Sequence, residues 1–189
     1  MNKKIYILIV LLIISFKSFS QITEPCIIYL KSGEVITDMR GTFTKKHFKY
    51  YKKVGNKFNK VKIELIDSVD IIEKSGYTRK MRFMPVKDEK KKYVLEQILT
   101  GDLELYRQPF YNGSASGYNY FIRRKGENKL TSIGHQPTFG DKKKKEILYP
   151  FLEKCPELIK RIENDEFHII RDLSVIIGTY NLTCGLKSD

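Results

Sequence analysis

The chain predicts an α+β protein, and three observations carry that prediction. From Cys26 to Val86, short stretches of alternating apolar and polar residues are separated by tight-turn residues, the pattern of antiparallel strands. In the C-terminal third the apolar residues fall at helical spacing. Taking an expected 20-residue signal from the 189 residues leaves 169, enough for one domain with a real core or for two small ones sharing an interface. The predicted organisation begins with a signal peptide over 1–20. A β-rich module over 21–86 follows, as a small curled antiparallel sheet or partly open barrel. A mixed segment over 87–189 ends in helices that pack on the sheet, as one domain with the module or beside it.

The elements follow in order. Lys3 and Lys4 precede an apolar run from Ile5 to Ile14 that Lys17 interrupts. A bilayer span needs about 20 apolar residues, so this run fits a secretory signal rather than a membrane helix. Ser18-Phe19-Ser20 puts small residues at the cleavage positions before Gln21. No second long apolar run follows, so the mature chain is expected to be exported, periplasmic or extracellular, without a transmembrane segment.

"CIIYLKSGEVITDMRG" reads as strand, turn and strand, with Lys31-Ser32-Gly33-Glu34 at the turn. "KKHFKYYKKVGNKFNKVKIEL" repeats the plan around Val54-Gly55-Asn56-Lys57, and Val61, Ile63 and Leu65 alternate as in a half-buried strand. "DSVDIIE" and "RKMRFMPV" supply two more strands, the second ending at Pro85. From Asp88 to Thr100 the residues Val94, Leu95, Ile98 and Leu99 mark one face of a helix, capped by Asp88 and stopped by Gly101. "DLELYRQPF", "YNYFIRR" and "NKLTSIG" read as strands, "YNGSASG" as a flexible loop and Lys125–Asn128 as a hairpin turn.

Asp141 caps a helix carrying Ile147, Leu148, Phe151 and Leu152, kinked or split at Pro150. Pro156 opens the next, and Ile169, Ile170, Leu173, Ile176, Ile177 and Tyr180 form the strongest apolar stripe. The run L-K-S-G-E-x-I from Leu30, the run F-K-Y-Y-K from Phe48 and I-D-S-V-D-I-I from Ile66 resemble a β-module of uncharacterised exported bacterial envelope proteins. That resemblance implies a β-rich N-terminal fold and an exported compartment, and implies no catalytic residue.

The formal charge is +13. Taking the three signal lysines from the 35 basic side chains, against 22 acids, leaves +10 for the mature chain. Such a balance favours acidic partners: an envelope protein, a polyanionic glycan or a lipid headgroup surface. The excess is mostly lysine, whereas phosphate forks favour arginine, and an exported chain rarely meets nucleic acid. In the basic-aromatic stretch over 45–62, eight lysines, Lys60 and Lys62 among them, interleave with Phe48, Tyr50, Tyr51 and Phe58, and Lys45, Lys46 and Lys49 are the candidate anion-binding residues. Phe110, Tyr111, Tyr118 and Tyr120, flanking the small-residue tip of a hairpin, are candidates for gripping a partner or stacking on a sugar.

Export brings Cys26, Cys155 and Cys184 into oxidising surroundings. A helical hairpin over 156–181 would bring Cys155 and Cys184 to one end, so their disulfide is the first choice and a link from Cys26 the rival. Pro25 and Glu24 before Cys26 fit a lipidation signal poorly, so the chain is read as no lipoprotein. No G-x-S-x-G, H-E-x-x-H or phosphate-cradling glycine loop is present, and no metal-ligand spacing. The sequence therefore calls for no catalytic residue, metal or cofactor. The rival from another class is a small hydrolase using His135 and Asp141, with Ser132 nearby, and a third reading is a structural subunit of an envelope assembly. Asp165 and His168 read as an exposed pair on a helix start.

Overall fold

The computed structural model describes residues 23–52, 57–113, 115–135 and 141–185. The expected signal peptide, its cut at Ser20/Gln21 and most of the turn expected at residues 54–57 lie outside the described residues. Among the described residues, ten antiparallel strands form one sheet in the order β10-β9-β8-β7-β6-β5-β1-β2-β3-β4. They are β1 (Glu24–Leu30), β2 (Val35–Phe43), β3 (His47–Lys52), β4 (Asn59–Lys62), β5 (Ile66–Ile72), β6 (Thr78–Pro85), β7 (Lys92–Leu99), β8 (Leu103–Asn112), β9 (Ala115–Arg124) and β10 (Thr131–Gly134). Three helices follow among the described residues: α1 (Asp141–Leu152), α2 (Pro156–Glu163) and α3 (Leu173–Thr183). The α+β class holds, with a correction. The N-terminal strands are one end of a sheet that continues through residue 86, because β6 pairs with both β5 and β7.

The first end of the sheet bends. β5 and β4 lie at opposite edges of the run β5-β1-β2-β3-β4, four strand spacings apart, which is roughly 19 Å in a flat sheet. Only a 3-10 turn, Ile63–Leu65, joins them, and such a turn advances about 2 Å per residue. The link closes only if the strip curves. Residues directly opposite in an antiparallel ladder share a face, and the pairings place Cys26, Ile28, Met39, Phe48, Val69 and Ile71 together on the concave side. These residues form one buried cluster with Ile66. Gly41 lets the strands approach: a Cβ there would lie 2.4 Å from the Phe48 ring, which lies across it.

The second end packs on both faces. On the opposite face from that cluster, Val86, Leu95, Tyr106, Phe121 and Leu130 gather. A parallel bridge from Val86 to Leu130 ties the end of β6 to the entry of β10, with Lys87 N–H donating to Leu130 O at 2.8 Å and Leu130 N–H to Pro85 O at 3.0 Å. The face shared with the N-terminal cluster is covered here by the helices: Leu103, Leu105, Ile122 and Ile133 meet Leu148, Leu152, Leu158, Ile162 and α3.

Four expectations need correction. Residues 88–100 hold a strand, not a helix, and Asp88 sits in a turn at φ 62°. Leu95 packs with Tyr106 and Phe121, a bulge follows between Gln97 and Leu99, and Leu99 packs under the helices on the other face. A bulged strand with two buried faces thus mimics helical spacing, and pairing on both sides decides the outcome. Ile63 and Leu65 belong to the 3-10 turn rather than a strand, Ile63 buried and Leu65 exposed. The expected loop "YNGSASG" is a hairpin, paired down to Asn112 and Ala115. α3 starts only at Leu173, because the Asp172 carboxylate accepts the His168 N–H at 2.7 Å and holds the preceding turn; Ile169 and Ile170 are buried all the same. Asp165 lies in the turn that ends α2 and His168 at the start of the turn before α3, so neither is on a helix.

α1 runs through Pro150 and ends two residues later. Proline there removes the bond that an N–H would give to the Glu146 carbonyl, and the helix ends within a turn of it; the Pro150 carbonyl accepts the Arg124 guanidinium at 3.0 Å. Cys155 and Cys184 are joined as a disulfide, which closes the α2–α3 hairpin at one end. Cys26 is free and buried in β1. Among the described residues no helix is long and apolar enough to cross a membrane.

Candidate functional site

The basic candidates sit where the first strip turns its convex face outward. Thr44 sets the β2–β3 turn: its Oγ1 donates to His47 O at 2.6 Å and its N–H to the same carbonyl at 2.8 Å. Lys45 and Lys46 occupy the exposed tip of that turn. With Phe48 turned into the core, the period of two puts His47 and Lys49 on the outer face. The ladder then sets Lys49 directly opposite Lys60, and His47 opposite Lys62. Like charges directly opposite cost up to about 1 kcal/mol. Among the described residues, none of Lys45, Lys46, Lys49, Lys60 and Lys62 takes part in an ion pair.

At the end of this face the chain forms a cleft of about 400 Å³. Lys45, Lys46, His47 and Lys62 line one side, with Ile63, Glu64 and Phe83 of β6 completing it. The walls are tied, since Ile63 N–H donates to Lys46 O at 3.3 Å. The structure thus brings Lys45 and Lys46 together in one recess and leaves Lys49 on the adjoining open face.

The aromatic candidates divide between two faces of the β8–β9 hairpin. Tyr118 faces Pro109, and Tyr120 faces Arg107, so both share the helix side of the sheet with Tyr111. Tyr111 is 82% exposed and Tyr118 38%. The Arg107 guanidinium stacks 4.3 Å from the Tyr118 ring centre and is fixed by two hydrogen bonds to the buried Glu96, at 2.9 and 3.0 Å. Those bonds raise the Arg107 pKa further, so the group is a permanent cation. Phe110 lies on the other face, across Gly117, with its ring 4.5 Å from that of His135.

That ring contact is where the structure places the hydrolase candidate His135. Asp141 begins α1, and its side chain lies outside the described residues, as do residues 136–140. Among the described residues no group of three or more His, Cys, Asp or Glu could hold a metal ion. No family model, curated protein or solved structure matches the chain.

A polar chain crosses the convex side of the sheet centre. Arg82 reaches Asp67 at 3.2 Å and Gln97 at 3.0 Å, Gln97 donates to Tyr106, and Tyr106 donates to Glu104 at 2.9 Å. Glu104 also pairs with Arg123. Burial, then the Glu104 charge, pushes the Tyr106 hydroxyl up to about 12. Every member has a partner within the chain, so the network holds strands together rather than waiting for a ligand.

Sequence reading counted Lys60 and Lys62 in the basic stretch without singling them out, and it missed His47, Ile63, Glu64 and Phe83 as binding-site residues. The strand alternation carried a signal for His47, Lys60 and Lys62, which share the outer face with Lys49 once the register is known. No signal linked Phe83, 19 or more residues from the rest of the cleft, to this surface.

Proposed function

We propose that this chain is a non-catalytic exported envelope protein that binds a polyanionic surface through the convex face of β3 and β4. One observation carries the reading: Lys49 and Lys60 stand opposite each other, with Lys45, Lys46 and Lys62 close by, and among the described residues no carboxylate pairs with any of them. An anionic partner relieves that repulsion and releases counterions as it binds. The reading treats residues 24–72 as a partly open barrel, whose curvature turns this face away from the core. The Tyr111–Tyr118–Tyr120 side of the hairpin is a second contact surface, where aromatic rings stack on an apolar sugar face.

Retention on a sulfated or carboxylated glycan column tests the proposal. The double variant Lys49→Glu/Lys60→Glu should elute at clearly lower salt than the wild type, while a charge change on α2, Lys160→Glu, should not. Equal retention of all three proteins would remove the lysine face from the argument. Export is tested separately: mass mapping of the mature chain from its native envelope should find Gln21 as the first residue. An intact N-terminus in that map would sink the exported reading.

A further inference from the structure

We infer that the cleft between the β2–β3 turn, the 3-10 turn and β6 is a subsite for a single acidic sugar unit of a polyanionic glycan. The inference rests on the polyanion reading above and narrows it to one ligand class. The cleft of about 400 Å³ falls in the range of small-molecule sites, about 300–1,000 Å³.

Its lining combines three chemistries. Lys45, Lys46 and Lys62 supply cations for a carboxylate or sulfate. The half-buried Phe83, beside the buried Ile63, supplies an apolar wall on which the C–H face of a pyranose can rest. Glu64 contributes a carboxylate on the rim. For a bare phosphate chain the Phe83 wall is useless and the Glu64 charge repulsive. A hydroxylated, singly charged ring uses all three, because Glu64 accepts hydrogen bonds from its hydroxyls.

The geometry is set in advance. Phe83 is held in the β6–β7 ladder opposite Val94, with the Lys92 ammonium 5.9 Å from its ring centre. The turn that carries Lys45 and Lys46 is fixed by the Thr44–His47 bonds. Little of the binding free energy is then spent on ordering the site.

Calorimetric titration of the mature chain at low salt tests the inference, using an oligo-uronate, a neutral oligosaccharide of equal length and inorganic polyphosphate. The oligo-uronate should bind and the neutral sugar should not. Phe83→Ala should weaken the oligo-uronate by roughly tenfold and leave polyphosphate unchanged. Phe83→Leu, which keeps the packing volume but loses the flat ring, should behave the same way, and thermal melts confirm that both variants fold. Lys49→Glu should weaken both anions. Polyphosphate binding as tight as the oligo-uronate, or indifference of the oligo-uronate to both Phe83 variants, overturns the subsite while the broader reading stands. Absence of binding to either anion overturns both.

Discussion

Strands β1–β5 and strands β7–β10 present the same face of one sheet, and they bury it by different means. The first group curves until Phe48 and Met39 meet Ile66 and Val69 from across the strip, so the strands cover themselves. The second leaves that face to α1, α2 and α3, and tightens on the other face through the Val86–Leu130 bridge. The first half has no described cross-link, and its one cysteine is free. The second is stapled by the Cys155–Cys184 disulfide and by polar bonds from α3 to β8. Self-coverage leaves the convex side to solvent, and there Lys49, Lys60 and Lys62 share the surface with Ile27, Tyr29 and Tyr51. Helical coverage uses one face of the second half up.

The largest blow to this contrast should come from Phe48→Ala. Removing a fully buried ring costs about 3–5 kcal/mol, and hydrogen exchange should accelerate across β1–β5 while β8 and β9 keep their protection. Uniform acceleration would mean that the two halves unfold as one unit. Next, Cys155→Ser/Cys184→Ser opens a link between residues 29 apart. The chain-entropy model gives about 3.5 kcal/mol for a loop of that size. The loss should appear as faster exchange in α2 and α3, with β1–β4 unchanged.

Asn181→Ala should cost less, about 1–3 kcal/mol. The Asn181 side chain accepts the Leu103 N–H and donates to the Leu103 carbonyl, both at 2.8 Å, and so pins α3 to the start of β8. Chemical denaturation would read the change, and no shift in midpoint would show that water replaces the amide.

At neutral pH a change at Cys26 should show least, because its effect appears only in alkali. Burial, opposed weakly by Arg40, raises the Cys26 thiol from 9.0 to about 12. The folded state therefore holds its proton after the unfolded chain has lost it. This contribution to stability is complete below pH 9 and drains away as pH rises toward 12, at up to about 1.4 kcal/mol per pH unit. Cys26→Ala should flatten that alkaline limb of a stability-versus-pH curve; an unchanged limb would place the titration elsewhere.

Much of the fold could be read from particular residues. Gly33 and Gly126, at φ 89° and 88°, mark turns that the sequence also marks, and strand alternation located β1, β2, β5, β6, β8 and β9. The two cysteines after α1 paired as helix spacing suggested. Where reading failed, long-range pairing had overridden local pattern. Val94, Leu95, Ile98 and Leu99 carry helical spacing but sit between β6 and β8, whose ladders satisfy their backbone. Tyr111 to Gly117 has the composition of a loose loop, yet its flanks pair to the tip because Phe110 packs across Gly117. Of the candidate site, Lys45, Lys46 and Lys49 were legible as a basic run, whereas the cleft was not, since Glu64 and Phe83 join it only through tertiary structure.

By itself the sequence determined which residues are apolar, where the chain can turn, how basic it is and which cysteines could meet. Those properties are local, set by side-chain chemistry and by spacings of two or about 3.6 residues. Tertiary structure alone decided that ten strands form a single sheet, that its two ends cover one face differently, and that three lysines meet Phe83 in a cleft. The physical reason is that ladder register and strip curvature are settled by contacts between residues far apart in the chain. No window of neighbouring residues contains them.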